Sequence, residues 1–129
     1  MPHDITNPPG LYEPANYSHV ATVSGELVFI AGQFASDGDG RVVSADFRDQ
    51  VRRSFANLRI ALESAGLGFE HVFQLRTYIV AHDAEKLAVL GEQVKEIWKD
   101  RPPVQTLCGV AALAFPDMLF EVDAIAARP

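Results

Sequence analysis

The chain has 129 residues, 48% of them hydrophobic, and its 11 basic and 17 acidic residues give a formal net charge of −6. That length fits one domain, residues 1–129, able to bury roughly two-thirds of its unfolded surface without staples. A single cysteine, Cys108, excludes an intramolecular disulfide, and no apolar run reaches bilayer length; the acidic balance also disfavours phosphate backbones, so neither nucleic acid nor membrane is an expected partner, and the cytoplasm is the expected location.

The first sixteen residues, with prolines at 2, 8, 9 and 14, read as an extended lead-in without the apolar core of a secretory signal. A strand is predicted over His19–Val23, a turn over Ser24–Glu26 and a second strand over Leu27–Ala31, the two pairing as a hairpin. Asp37-Gly38-Asp39-Gly40 looks like half a calcium loop. Its distal ligands are missing, however, and Arg41 follows at once, so a tight turn before a short strand Arg41–Val43 is expected.

Asp46–Ala65 is the clearest helix. Phe47, Val51, Phe55, Leu58, Leu62 and Ala65 recur at steps of three and four, which makes one apolar stripe. Ser44 or Asp46 can cap its start, Gly66 stands where a C′ glycine belongs, and Asp49 and Arg53 form an i,i+4 pair. A strand follows over Val72–Val80, with Phe73, Leu75, Thr77 and Ile79 on one face and Gln74, Arg76 and Tyr78 on the other. The second helix spans about Asp83 to Lys99, with Leu87, Leu90, Val94, Ile97 and Trp98 inward, and Pro102-Pro103 ends it.

Two strands remain, Val104–Ala114 and Met118–Ala126, joined by a turn at Phe115-Pro116-Asp117. In the last strand Phe120, Val122 and Ala124 face one way and Glu121 and Asp123 the other. This order predicts an α+β domain, a sheet with two helices packed on one face. Val104–Ala114 carries no charge and is apolar on both faces, yet the helices cover only one. The other face needs a partner, and a second copy of the chain is the expected one.

Several motifs converge on one family. Tyr17-Ser18 opens the first strand, Gly32-Gln33 ends the second, and Gln50 and Asn57 punctuate the first helix. That helix closes on Leu62-Glu63-Ser64-Ala65-Gly66-Leu67. Pro103 begins the penultimate strand, and the chain ends on Phe120-Glu121-Val122-Asp123-Ala124-Ile125-Ala126. In order and spacing, from about residue 15 to 127, the sequence resembles the RidA/YjgF family of enamine/imine deaminases. The resemblance implies a chorismate-mutase-like subunit with a mixed sheet. It further implies a homotrimer with its sheets around a central barrel, ligand clefts between subunits, and hydrolysis of reactive imines to keto acids and ammonia without a cofactor.

By the same resemblance, Glu121 is the expected catalytic residue, and Tyr17, Ala31, Gly32, Gln105 and Thr106 are expected to bind substrate. The carry-over is partial. Ala31 stands where the family often has serine, Gly91 where it has a helix asparagine, and Leu107 where it often has cysteine. Gln105 stands where it usually has arginine. A guanidinium grips a carboxylate through two parallel charge-assisted hydrogen bonds, which a glutamine cannot reproduce. A branch lacking this arginine is implied, acting on a substrate without a carboxylate or one held by another group.

For each residue a structural role stands beside the functional one. Glu121 is either a proton-handling group raised in pKa by burial or a strand carboxylate in an ion pair. Tyr17 binds substrate or packs at an interface. Gln105 and Thr106 orient a polar group or pair across subunits. Asp123 shares acid–base work with Glu121 or pairs with a base, and Arg76 replaces the missing cation or pairs with Asp123. His19, His71 and His82 lack ligand spacing, so no metal site is expected. Three functions compete: a hydrolase of small imines, a non-catalytic trimer that binds a small ligand, and a ribonuclease, which the net charge disfavours.

Overall fold

A computed structural model describes residues 3–129. Its elements are β1 (His3–Thr6), β2 (Val20–Val23), β3 (Glu26–Gln33), α1 (Phe47–Ser64), β4 (Val72–Val80), α2 (Ala84–Trp98), β5 (Val104–Val110) and β6 (Phe120–Arg128), with a 3-10 turn at Phe69–His71. The main sheet runs β3-β6-β4-β5. β6 is antiparallel to both neighbours, whereas β4 and β5 are parallel and α2 crosses between them. The result is the mixed sheet that the motifs implied.

Both helices form for the reasons read from the sequence. Asp46 caps α1 by accepting the Asp49 amide at 2.9 Å. Gly66 follows the helix at φ +75°, where a side chain would be strained. Arg53 donates to Asp49 at 2.9 Å. The α1 stripe Val51, Phe55, Leu58 and Leu62 packs with Leu90, Val94 and Trp98 of α2 onto Leu75, Ile79, Phe120, Val122 and Ala124 of the sheet. The opposite sheet face has no such cover: Phe29 is 69% exposed, Leu27 is 46% exposed and Cys108 is exposed.

Four local expectations are corrected. The hairpin between the first two predicted strands does not form. β2 pairs with β1, His3 opposite Val23 through Thr6 opposite Val20, while Gly25, at φ +104° against the Arg128 carbonyl, turns the chain onto β6. Residues 41–43 make only a Ser36–Val42 bridge, because Asp37 Oδ1 holds the turn by accepting the amides of Asp39 and Arg41, each at 2.9 Å. A register shift between Val72 and Gln74 puts Val72, not Phe73, into the core; Phe73 lies 6.1 Å from the His3 ring. Finally, β5 stops at Val110, where its partner strand β4 also ends at Val80.

Candidate functional site

The segment that carries Tyr17 is tied to the edge strand. Ser18 is buried, its hydroxyl donates to the Pro102 carbonyl at 2.6 Å, and its amide donates to the Pro103 carbonyl at 3.1 Å. Ser18 thus bridges Val104 in parallel, which sets Tyr17 beside Gln105 and Thr106. These three, with Asn16, Leu87, Leu90, Gly91, Val94 and Leu107, surround a hollow of about 310 Å³ between β5 and α2. Leu87, expected in the core, is 53% exposed because it forms part of this wall.

The polar groups of the hollow are held in place. Gln105 Nε2 donates to Thr77 Oγ1 at 3.0 Å, and Thr77 is fully buried. The Tyr17 hydroxyl bonds to the Tyr12 hydroxyl, which raises the Tyr17 pKa. The rings of Tyr12, Tyr17 and His19 meet edge to face, and His19 Nε2 contacts the Tyr12 carbonyl at 2.9 Å. No lysine or arginine lines the hollow or the shallower polar cleft at Tyr17, His19, Gln74 and Gln105 next to it, among the described residues.

Glu121 lies elsewhere. In β6 it stands opposite Tyr78, on the uncovered face of the sheet, whereas Gln105 stands opposite Leu75 and reaches the helix side. Beside Glu121 a bulge between Ile30 and Gln33 interrupts β3, bringing Gly32 to the carboxylate. A Cβ on Gly32 would lie 2.7 Å from the Glu121 carboxyl carbon; the glycine gives the acid its space. Burial raises the Glu121 pKa, and the nearby charge of Asp123 raises it further. No cationic side chain pairs with it among the described residues.

Arg76 is occupied within the chain. Its Nε donates to Asp123 Oδ1 at 2.9 Å, and Tyr78 donates to Asp123 Oδ2 at 3.0 Å. Asp123 is thereby committed to these two partners. The expected site residues therefore do not share one face: Glu121 and Gly32 lie at the uncovered face, Tyr17 and Gln105 lie at the hollow on the helix side, and Thr106, in register with Arg76, turns its side chain toward the uncovered face. Sequence reasoning missed Asn16 and Thr77, whose roles depend on contacts across distant parts of the chain. Gln50 and Asn57 turn out to be structural. Gln50 joins the Ser44 and Asp117 carbonyls to the Leu119 amide, and Asn57 holds the Phe34 and Ser36 carbonyls.

A mixed sheet in the order β3-β6-β4-β5 with two helices on one face defines the class, an α+β subunit of YjgF-like fold. Residues 10–128 match the family model described as Endoribonuclease L-PSP. The RutC family protein YjgH of Escherichia coli is 34% identical over 120 residues, covering 92% of this chain and 88% of that protein. A RutC family protein of Pyrococcus abyssi is 31% identical over 111 residues, covering 85% and 84%. The crystal structure of the Rid family protein YyfB of Yersinia pestis, whose function is unknown, superposes with a TM-score of 0.94 at 34% identity, covering 99% of this chain and all of that one. The chain belongs to this Endoribonuclease L-PSP family, also called RidA/YjgF. No helix among the described residues is long and apolar enough to cross a membrane.

Proposed function

We propose that the protein is a cytoplasmic homotrimer that hydrolyses a small reactive imine or enamine at clefts between subunits, without a carboxylate-binding arginine and without a cofactor. The observation that carries this reading is the split site. Glu121 with Gly32 lies on an uncovered sheet face, and Tyr17 with Gln105 lies at an edge hollow, so each half lacks what the other supplies. Packing of one copy's open face, with its exposed Leu27 and Phe29, against the edge of the next would bring the halves together. A relative in Escherichia coli, TdcF, is 28% identical over 107 residues and is provisionally named a reactive intermediate deaminase. That name supports the chemistry.

In the proposed reaction a water oxygen adds to the C=N carbon, the C–N bond breaks, and the nitrogen leaves as ammonia. Glu121, raised in pKa by burial, takes one proton from water and gives it to the nitrogen as the carbinolamine forms, then carries the hydroxyl proton to the nitrogen as C=O forms and C–N breaks. The backbone at Ala31 and Gly32, opened by the β3 bulge, holds the substrate's polar atoms. Gln105 and Thr106 orient the remainder.

The test generates 2-aminoacrylate in situ and follows pyruvate. Wild-type protein is expected to be slow, and Gln105→Arg is expected to gain roughly ten- to hundredfold, since a hydrogen bond to a charged group is worth about 1.5–3 kcal/mol. Equal, fast turnover by both proteins would contradict the role given to Gln105. A second reading, a trimer that binds a small ligand without turning it over, is favoured by the same loss of the arginine. It predicts ligand binding with no release of ammonia from any imine.

A further inference from the structure

The α2 glycine beside the hollow has a neighbour that explains it. A Cβ on Gly91 would lie 2.5 Å from Asn16 Nδ2 and 3.2 Å from Asn16 Cγ. Gly91 is buried inside α2, where glycine weakens a helix relative to alanine. The space it leaves is filled by the amide of Asn16, a residue of the loop before β2. Asn16 therefore enters the wall of the hollow only because residue 91 has no side chain.

The hollow's polar side chains are then uncharged: the amides of Asn16 and Gln105 and the hydroxyl of Tyr17, set among Leu87, Leu90, Val94 and Leu107. Gln105 spends one N–H on buried Thr77. That fixes its plane and leaves a carbonyl oxygen and a second N–H to face a ligand. An ionised carboxylate placed here would lose its water and meet no cation among the described lining residues, which is unfavourable. A carboxamide loses less on leaving water and can satisfy its N–H and C=O against two side-chain amides.

We infer that the hollow at Asn16, Tyr17 and Gln105 selects a neutral carboxamide group, so that the substrate class is the carboxamide-bearing imine rather than the carboxylated one. Asn16, admitted by Gly91, is the specificity-determining residue. The overall change is an α-imino amide plus water to an α-keto amide plus ammonia, with no oxidant or reductant. The inference rests on the proposed hydrolase reading for the reaction, but not for the binding preference.

The test titrates purified protein with pyruvamide and, separately, with pyruvate, which differ only in the group the hollow is inferred to read. Pyruvamide is expected to bind at least tenfold more tightly. Asn16→Ala is expected to weaken pyruvamide by about tenfold and leave pyruvate unchanged. Gly91→Ala, which crowds the Asn16 amide, is expected to do the same while the α2 helix signal is kept. Gln105→Arg is expected to reverse the preference. Equal binding of the two ketones by wild-type protein, tighter pyruvate, or no binding of either at millimolar concentration would each overturn the inference, whether or not any variant folds. Turnover of imines by a protein without amide preference would preserve the hydrolase reading and sink this one. Amide-selective binding without ammonia release would do the reverse.

Discussion

The two polar regions of this subunit differ in what they have been given. The Glu121 region offers an acid with raised pKa and open backbone, on a face with exposed Phe29, and among the described residues no cation pairs with it. The Gln105 region offers hydrogen-bonding groups fixed by buried partners, in a small hollow with apolar walls and no charge. One region is suited to moving a proton and the other to recognising a shape. The same sheet separates them, because residues one apart in a strand face opposite ways. On the proposed function these are two halves of one cleft, which a second copy completes.

The largest expected effect breaks the comparison at its join. Phe29→Asp puts a charge where the account places a neighbouring copy. Ultracentrifugation at micromolar concentration should find wild type at three times the chain mass and this variant at one, with unchanged helix content. A wild-type monomer would remove the reason for combining the halves. Next comes Glu121→Gln, which keeps the shape and removes the proton carrier. Turnover should fall by roughly 10²- to 10⁴-fold, with assembly and pyruvamide binding intact.

That same substitution sharpens the electrostatics. Glu121 binds its proton more tightly in the folded chain than its ordinary value of 4.5 implies. The folded state therefore holds more protons than the unfolded one as pH rises from that value to the raised one, and stability falls across that window. Glu121→Gln should remove this fall, so denaturant midpoints of wild type and variant should converge below pH 4.5 and separate above it, with the variant the more stable. Parallel midpoints from acid to neutral pH would mean that burial does not penalise the carboxylate. The smallest effect tests the control region. Asp46→Ala removes the α1 cap far from both halves and should cost about 1 kcal/mol of stability while leaving ligand preference unchanged.

The elements were legible where one local rule decided them. The α1 stripe, its Asp46 cap and Gly66 stop depend on residues a turn apart, and the sequence reading placed them within a residue or two. The β2–β3 hairpin was misread because strand pairing is settled by the best long-range partner. β3 found six register partners in β6, a segment nearly a hundred residues away in sequence. The candidate site residues came one by one from family motifs, and the alternation of β6 was plain. The registers that put Glu121 opposite Tyr78 and Gln105 opposite Leu75 could not be read from either strand alone. Asn16 was invisible for a related reason: its importance lies in the missing side chain of Gly91, and nothing in the sequence around position 16 points there.

The central claim is that one catalytic cleft draws Glu121 from one copy and Gln105 with Tyr17 from the next. Subunit mixing tests it most directly. Glu121→Gln and a Tyr17→Phe, Gln105→Ala double variant would each be inactive alone toward an imine that wild type turns over. Unfolded together and refolded, they form mixed trimers in which some clefts pair an intact Glu121 with an intact Gln105. Ammonia release from the mixture is expected well above the sum of the separate variants, reaching a substantial fraction of wild type. Activity no greater than that sum, in trimers shown by mass to be mixed, would place both halves of the site within one chain and contradict it.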